Sequence, residues 1–156
     1  MYTKLIVMKT VRIFFFVALS TIIVTNPGCK TIERALHNII RANVNSKLFT
    51  TQVISGTVVA GRLTLAGSTT TGSQAMTIVL PATIKPGTYK LTSTGSYLIE
   101  YKATSHDVYA ASSGELVITS HDTNLKKIKG SFNFKGLNLK SASVDVTNGS
   151  FTVSYY

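Results

Sequence analysis

A chain of 156 residues carries enough material for one domain whose core needs no disulfide staples. Charged residues make up only 14%, Trp is absent, and Ser, Thr, Gly and Val are plentiful; this excludes a helical bundle or a disordered tail and points to a turn-rich β protein. The net charge is +10, which favours anionic lipid, acidic glycans or nucleic acid as contacts, but the bases are scattered apart from Lys126-Lys127-x-Lys129 and read as a solubilising surface, with no nucleic-acid motif.

Residues 1–28 read as a lipoprotein signal peptide. Lys4, Lys9 and Arg12 form a basic start, and Ile13 to Val24 form an apolar run. As a helix that run is about 18 Å long, too short for a hydrocarbon core of ~30 Å, so it is a secretory leader rather than a membrane span. Met8 begins a tidier leader than Met1 and is an alternative start. Asn26-Pro27-Gly28-Cys29 then breaks the helix and presents an extended segment to a peptidase. Cys29 is the only cysteine, so it has no partner within the chain. Gly28 before it fits the lipobox of bacterial lipoproteins, in which the thiol receives a diacylglyceryl group, although Asn26 stands where such boxes carry an apolar residue. Cys29 is therefore the expected lipidation site, and its acyl chains would hold the domain on a membrane without a transmembrane helix.

Residues 29–46 are expected to be the lipidated cysteine and a partly helical linker. Ile32, Leu36, Ile39 and Ile40 share one helical face, and Thr31 suits an N-cap. From residue 47 to 156 the apolar period becomes two. Strands are expected at Leu48–Ile54, Arg62–Ala66, Met76–Leu80, Tyr89–Leu91, Tyr97–Tyr101, Val108–Ser112, Glu115–Ser120 and Ile128–Lys135, the last with Ile128, Phe132 and Phe134 on one face. Ser113-Gly114 is expected to turn the chain between two of them. Asn148-Gly149 suits a type I′ hairpin that sets Val146 against Phe151 and Val144 against Val153. About eight or nine short strands without intervening helices predict an all-β antiparallel sandwich, favoured over a barrel.

The stretches Gly87-Thr88-Tyr89, Gly114-Glu115-Leu116-Val117-Ile118-Thr119, Ile128-Lys129-Gly130-Ser131-Phe132-Asn133-Phe134 and Thr147-Asn148-Gly149-Ser150-Phe151 resemble, in order and spacing, a family of small Bacteroidota lipoproteins catalogued as a domain of unknown function. The resemblance covers Leu48 to Tyr156. It implies an exported all-β lipoprotein of the outer membrane and supplies no catalytic residues. Cys29-Lys30-Thr31-Ile32-Glu33 lacks the acidic run that marks surface display in that phylum, so surface-exposed and periplasm-facing anchoring both stay open.

Two constellations invite chemistry. Ser105-His106-Asp107 and Ser120-His121-Asp122 repeat one tripeptide. Consecutive residues cannot form a nucleophile–base–orienter line, so neither is a triad. A turn at Ser113-Gly114 would, however, set His106 opposite His121 with Asp107 and Asp122 nearby, and two imidazoles with a carboxylate can hold a divalent metal. Without a third strong ligand, the favoured reading is polar residues closing two turns, and no metal is expected. Tyr97, Tyr101, Tyr109, Tyr155 and Tyr156 could stack against sugar rings, but strand alternation puts Tyr109 and Tyr155 inside and leaves Tyr156 exposed.

No phosphate loop, paired carboxylates or free thiol beyond Cys29 is evident, so no enzyme activity, catalytic residue or cofactor is expected. The expected function is that of an exported lipoprotein of the cell envelope, a non-enzymatic binding or structural module with a glycan or envelope protein as partner and no nucleic acid. Two alternatives remain. One is a fimbrial or adhesin-type subunit that assembles by strand addition. The other is a metal-binding enzyme using the His106 and His121 region.

Overall fold

The computed structural model describes residues 38–156, which form ten strands and no helix. The strands are β1 (Ile39–Val44), β2 (Lys47–Thr50), β3 (Val53–Val59), β4 (Arg62–Ser68), β5 (Ala75–Pro81), β6 (Gly87–Thr92), β7 (Leu98–Lys102), β8 (Val108–Asp122), β9 (Lys127–Leu137) and β10 (Ser143–Ser154). The leader, Cys29 and the start of the linker lie outside the described residues.

Strand pairing runs β2-β1-β10-β9-β8-β7-β5-β4-β3, with β6 also paired to β8. This is one curled antiparallel sheet, a half-barrel, and corrects the expected two-layer sandwich. The helical linker is also corrected where it is described. Ile40, Ala42 and Val44 point into the core from a strand, and the β-branched Ile and Val suit it. Asn45 and Ser46 both take positive φ, as a two-residue type I′ turn requires, and lead into β2.

The middle of the sheet follows simple alternation. Leu63 and Leu65 of β4 lie opposite Leu80 and Ile78 of β5, and all four are fully buried. On β9, Ile128, Phe132 and Phe134 point inward as expected. Burying aliphatic side chains of this size contributes roughly 1.5–3 kcal/mol each.

The two longest of the strands beside β9 depart from expectation. β8 runs unbroken through Ser113-Gly114, and β10 runs unbroken through Asn148-Gly149. Each is bulged where a turn was expected. Opposite β9, the register of β8 shifts between Ala111 and Ser113, and that of β10 shifts between Val146 and Gly149. One extra residue switches which side chains face inward. Ala111 is buried before the bulge on β8, and Leu116 and Ile118 after it; on β10 the change is from Val144 and Val146 to Phe151 and Val153. Asn148, at φ 52°, supplies the left-handed residue of the β10 bulge. Gly149 is needed for space, because a Cβ there would run into the Phe132 ring.

The expected first strand, Leu48–Ile54, is likewise broken at Thr51-Gln52. Thr51 is the one buried polar residue of the described chain. Its N–H donates to the Ile40 carbonyl, and its Oγ1 accepts from the Ile40 N–H, both at 3.0 Å. Gln52 N–H donates to the Ser68 carbonyl of β4 at 2.9 Å. This corner carries the chain from one flank of the sheet to the other. The seam continues at the C-terminus, where Tyr156 N–H donates to Gly56 O at 3.0 Å and Val58 N–H donates to Tyr156 O at 3.1 Å.

Candidate functional site

The two ends of the half-barrel differ. At one end stand the Asn45-Ser46 turn and the loops preceding β5, β8 and β10; a cleft of about 220 Å³ opens there. Its wall is aromatic. Phe49 of β2 meets Tyr101 of β7 edge-on, with ring centres 5.7 Å apart, and Tyr101 stacks with Tyr109 of β8 at 6.4 Å. These three rings converge because β2 curls across the core to face β7, while Tyr101 and Tyr109 are direct partners in the β7–β8 register. Gln74 Nε2 donates to the Tyr101 hydroxyl at 2.9 Å. Asn45, Lys47 and Leu48 complete the lip, and Leu48 is 74% exposed. Burial pushes the Tyr101 hydroxyl above its ordinary pKa, and the neighbouring Tyr109 adds to the rise. Tyr101 therefore stays a neutral phenol that offers a dipole rather than a charge.

The opposite end is closed by polar chemistry. His121 bridges two segments, with Nδ1 2.8 Å from the Ile84 carbonyl and Nε2 2.7 Å from the Tyr155 hydroxyl. A carbonyl only accepts, so Nδ1–H donates to Ile84, and Nε2 pairs with the Tyr155 hydroxyl. Lys126 Nζ lies 5.8 Å from the centre of the Tyr155 ring. Burial raises the Tyr155 pKa, and the Asp122 carboxylate adds to it.

These contacts reassign the expected site residues. His106 and His121 are not a cross-strand pair. His106 lies two residues before the fifteen-residue β8 and His121 is its penultimate residue, roughly 45 Å of extended chain apart. His106 sits in an exposed loop with its Nδ1 2.8 Å from Ser105 Oγ, while Asp107 accepts from Thr104 Oγ1 at 3.2 Å. Asp122 caps the β8–β9 turn by accepting from the N–H groups of Asn124 and Leu125. Polar residues thus close the turn on one side and the loop on the other. No group of three His, Cys, Asp or Glu side chains among the described residues is placed to hold a metal.

The five tyrosines do not form one platform. Tyr101 and Tyr155 are buried at opposite ends, Tyr97 packs on Tyr89 at 4.8 Å, and Tyr156 is 89% exposed. Tyr155 shares its face with Phe151 and Val153, as alternation indicated. The cleft's other lining residues escaped sequence reasoning. Asn45-Ser46 is a turn-prone pair that could have revealed the hairpin carrying Phe49, whereas Gln74 carries no local signal.

A sequence profile described as "Domain of unknown function (DUF6252)" matches residues 37–153. No curated protein and no solved structure matches the chain.

Proposed function

The chain belongs to the DUF6252 family, and on that premise we propose that it is an exported lipoprotein of the bacterial envelope whose β-domain is a non-enzymatic binding module. The observation that carries the binding role is the cleft formed by Phe49, Tyr101 and Tyr109. At about 220 Å³ it is smaller than the roughly 300–1,000 Å³ of drug-sized sites and suits one ring or the end of a chain. Aromatic walls accept the C–H face of a sugar, and the Gln74, Asn45 and Lys47 side chains around them offer directional partners to hydroxyls. A terminal sugar of an envelope glycan is the ligand class this lining fits.

The anchor in this reading is Cys29, after the leader ending at Gly28. Two measurements test the reading separately. Saturation-transfer NMR with methyl glycosides of hexoses and N-acetylhexosamines should show contacts that Tyr109→Ala abolishes and His106→Ala leaves intact; equal signals in both variants contradict a seat at the cleft. Mass spectrometry of the mature N-terminus should find an acylated Cys29, and an unmodified thiol contradicts the anchor.

A further inference from the structure

The closed end of the half-barrel carries a surface that the cleft does not use. Hydrogen bonds gather its parts. Ala82 N–H donates to Gly61 O at 2.8 Å, joining the β3–β4 hairpin tip to the segment after β5. His121 joins that segment, through Ile84, to Tyr155. Tyr155 N–H donates to Lys126 O at 2.9 Å, and Tyr156 pairs with β3. The β3–β4 tip, the β5–β6 loop, the β8–β9 turn and the C-terminal residues therefore share one end. The chain also enters there, since Asn38 Oδ1 accepts from Ser154 N–H at 2.9 Å.

This end combines exposed apolar side chains with a basic surround. Its prominent apolar side chains are exposed: Val59 by 70%, Leu125 by 65% and Tyr156 by 89%. Around them stand Arg62, Lys85, Lys126 and Lys127, with Asp122 as the acidic side chain of the same turn. Apolar tips within a basic surround match the boundary of an anionic bilayer, where the tips enter the interfacial layer and each base near the surface gains from the surface potential.

We infer that this end is a membrane-docking face for anionic lipid, set by Val59, Leu125 and Tyr156 and by the surrounding Arg and Lys side chains. Docked in this way, the half-barrel stands with its closed end on the bilayer and its aromatic cleft about one strand length away, facing outward. The chain entry at Asn38 lies on the docked side, as a short tether from Cys29 would require. The inference deepens the envelope reading, but it rests on the exposed residues and not on lipidation.

The test uses the full chain reconstituted in vesicles, with Cys29→Ser so that an introduced cysteine takes the only label. An environment-sensitive fluorophore is placed at Leu125→Cys or, at the cleft end, at Leu139→Cys, which is fully exposed. In vesicles of phosphatidylcholine with phosphatidylglycerol, the label at position 125 should shift to the blue and be quenched by spin-labelled lipid, while the label at 139 stays in water. Lys85→Gln and Lys126→Gln should each reduce the docked-to-undocked ratio roughly fivefold, as expected for one base near an anionic surface. Pure phosphatidylcholine should weaken docking. Equal emission and quenching at positions 125 and 139 in the anionic vesicles would overturn the proposal, as would no response to the two lysine changes. Because Cys29 is replaced throughout, these outcomes are independent of whether the native cysteine is acylated.

Discussion

The two ends of the half-barrel are finished by different chemistry. The Tyr155 end is closed by directional bonds: His121 holds Ile84 and Tyr155, and Tyr156 pairs with β3. At the Tyr101 end the rings of Phe49, Tyr101 and Tyr109 meet one another, and within that ring cluster the Tyr101 hydroxyl accepts from Gln74. Directional bonds fix a single arrangement and leave little room. Ring contacts tolerate small displacements, so the end built from them can admit a ligand ring. Closure and access are thereby assigned to opposite ends of the same sheet.

The largest perturbation should act on both ends together, through the core that joins them. Phe151 is 2% exposed beneath Gly130 and beside Phe132. Phe151→Ala should cost about 3–5 kcal/mol. Urea unfolding followed by tyrosine fluorescence and far-ultraviolet dichroism should shift as one transition. Two separated transitions would break the comparison by showing that the ends fold independently.

Removing the closing histidine should act locally. His121→Ala leaves the Ile84 carbonyl and the Tyr155 hydroxyl without their partner, at a cost of about 1–3 kcal/mol. Amide hydrogen exchange should accelerate at Ile84 and Tyr155–Tyr156 and stay unchanged around Thr104–Asp107. At the open end, Tyr101→Phe removes only the bond from Gln74, and denaturant titration should register about 0.5–1.5 kcal/mol.

The ends should also respond together to alkali. Tyr101 and Tyr155 both have folded-state pKa values raised above 10.0 by burial. Above pH 10 the unfolded chain loses these protons first, so the unfolded state binds fewer protons than the folded one and stability falls as pH rises. Below pH 10 the contribution is fully present. Melting temperature measured through this range should decline, and combining Tyr101→Phe with Tyr155→Phe should flatten the decline.

The smallest effect distinguishes the two tight turns. Asn45 begins the turn at the cleft end, whereas Ala60, at φ 48°, begins the one at the closed end. Asn adopts positive φ at a lower cost than Ala. Ala60→Gly should raise stability by about 0.5–1 kcal/mol in denaturant titration, and Asn45→Gly should change it less.

The all-β class, the inward face of β9 and the burial of Tyr155 were legible because side-chain alternation reports a half-buried strand directly. The paths of β8 and β10 were not. A two-residue hairpin and a one-residue bulge both exchange which parity of residues faces inward. Val146 and Phe151 fit either arrangement, as do Ala111 and Leu116. Strands usually run 3–10 residues, so a fifteen-residue β8 was disfavoured from the outset. Only a turn at Ser113-Gly114 would bring His106 and His121 together. The cleft was hidden for a related reason. Ile39 and Ile40, read with Ile32 and Leu36, suggested a helix and concealed the β1–β2 hairpin that delivers Phe49. The long-range contact between Gln74 and Tyr101 has no local sequence mark.

The separation of the two ends can be measured directly. In the Cys29→Ser chain, spin labels at His106→Cys and His121→Cys report the distance between them by pulsed electron–electron resonance. A continuous β8 predicts roughly 40 Å once its bulges are allowed for. A separation near 10 Å, as for residues facing each other across a hairpin, would contradict a sheet with a closed end and an open one, and would return His106 and His121 to a common site.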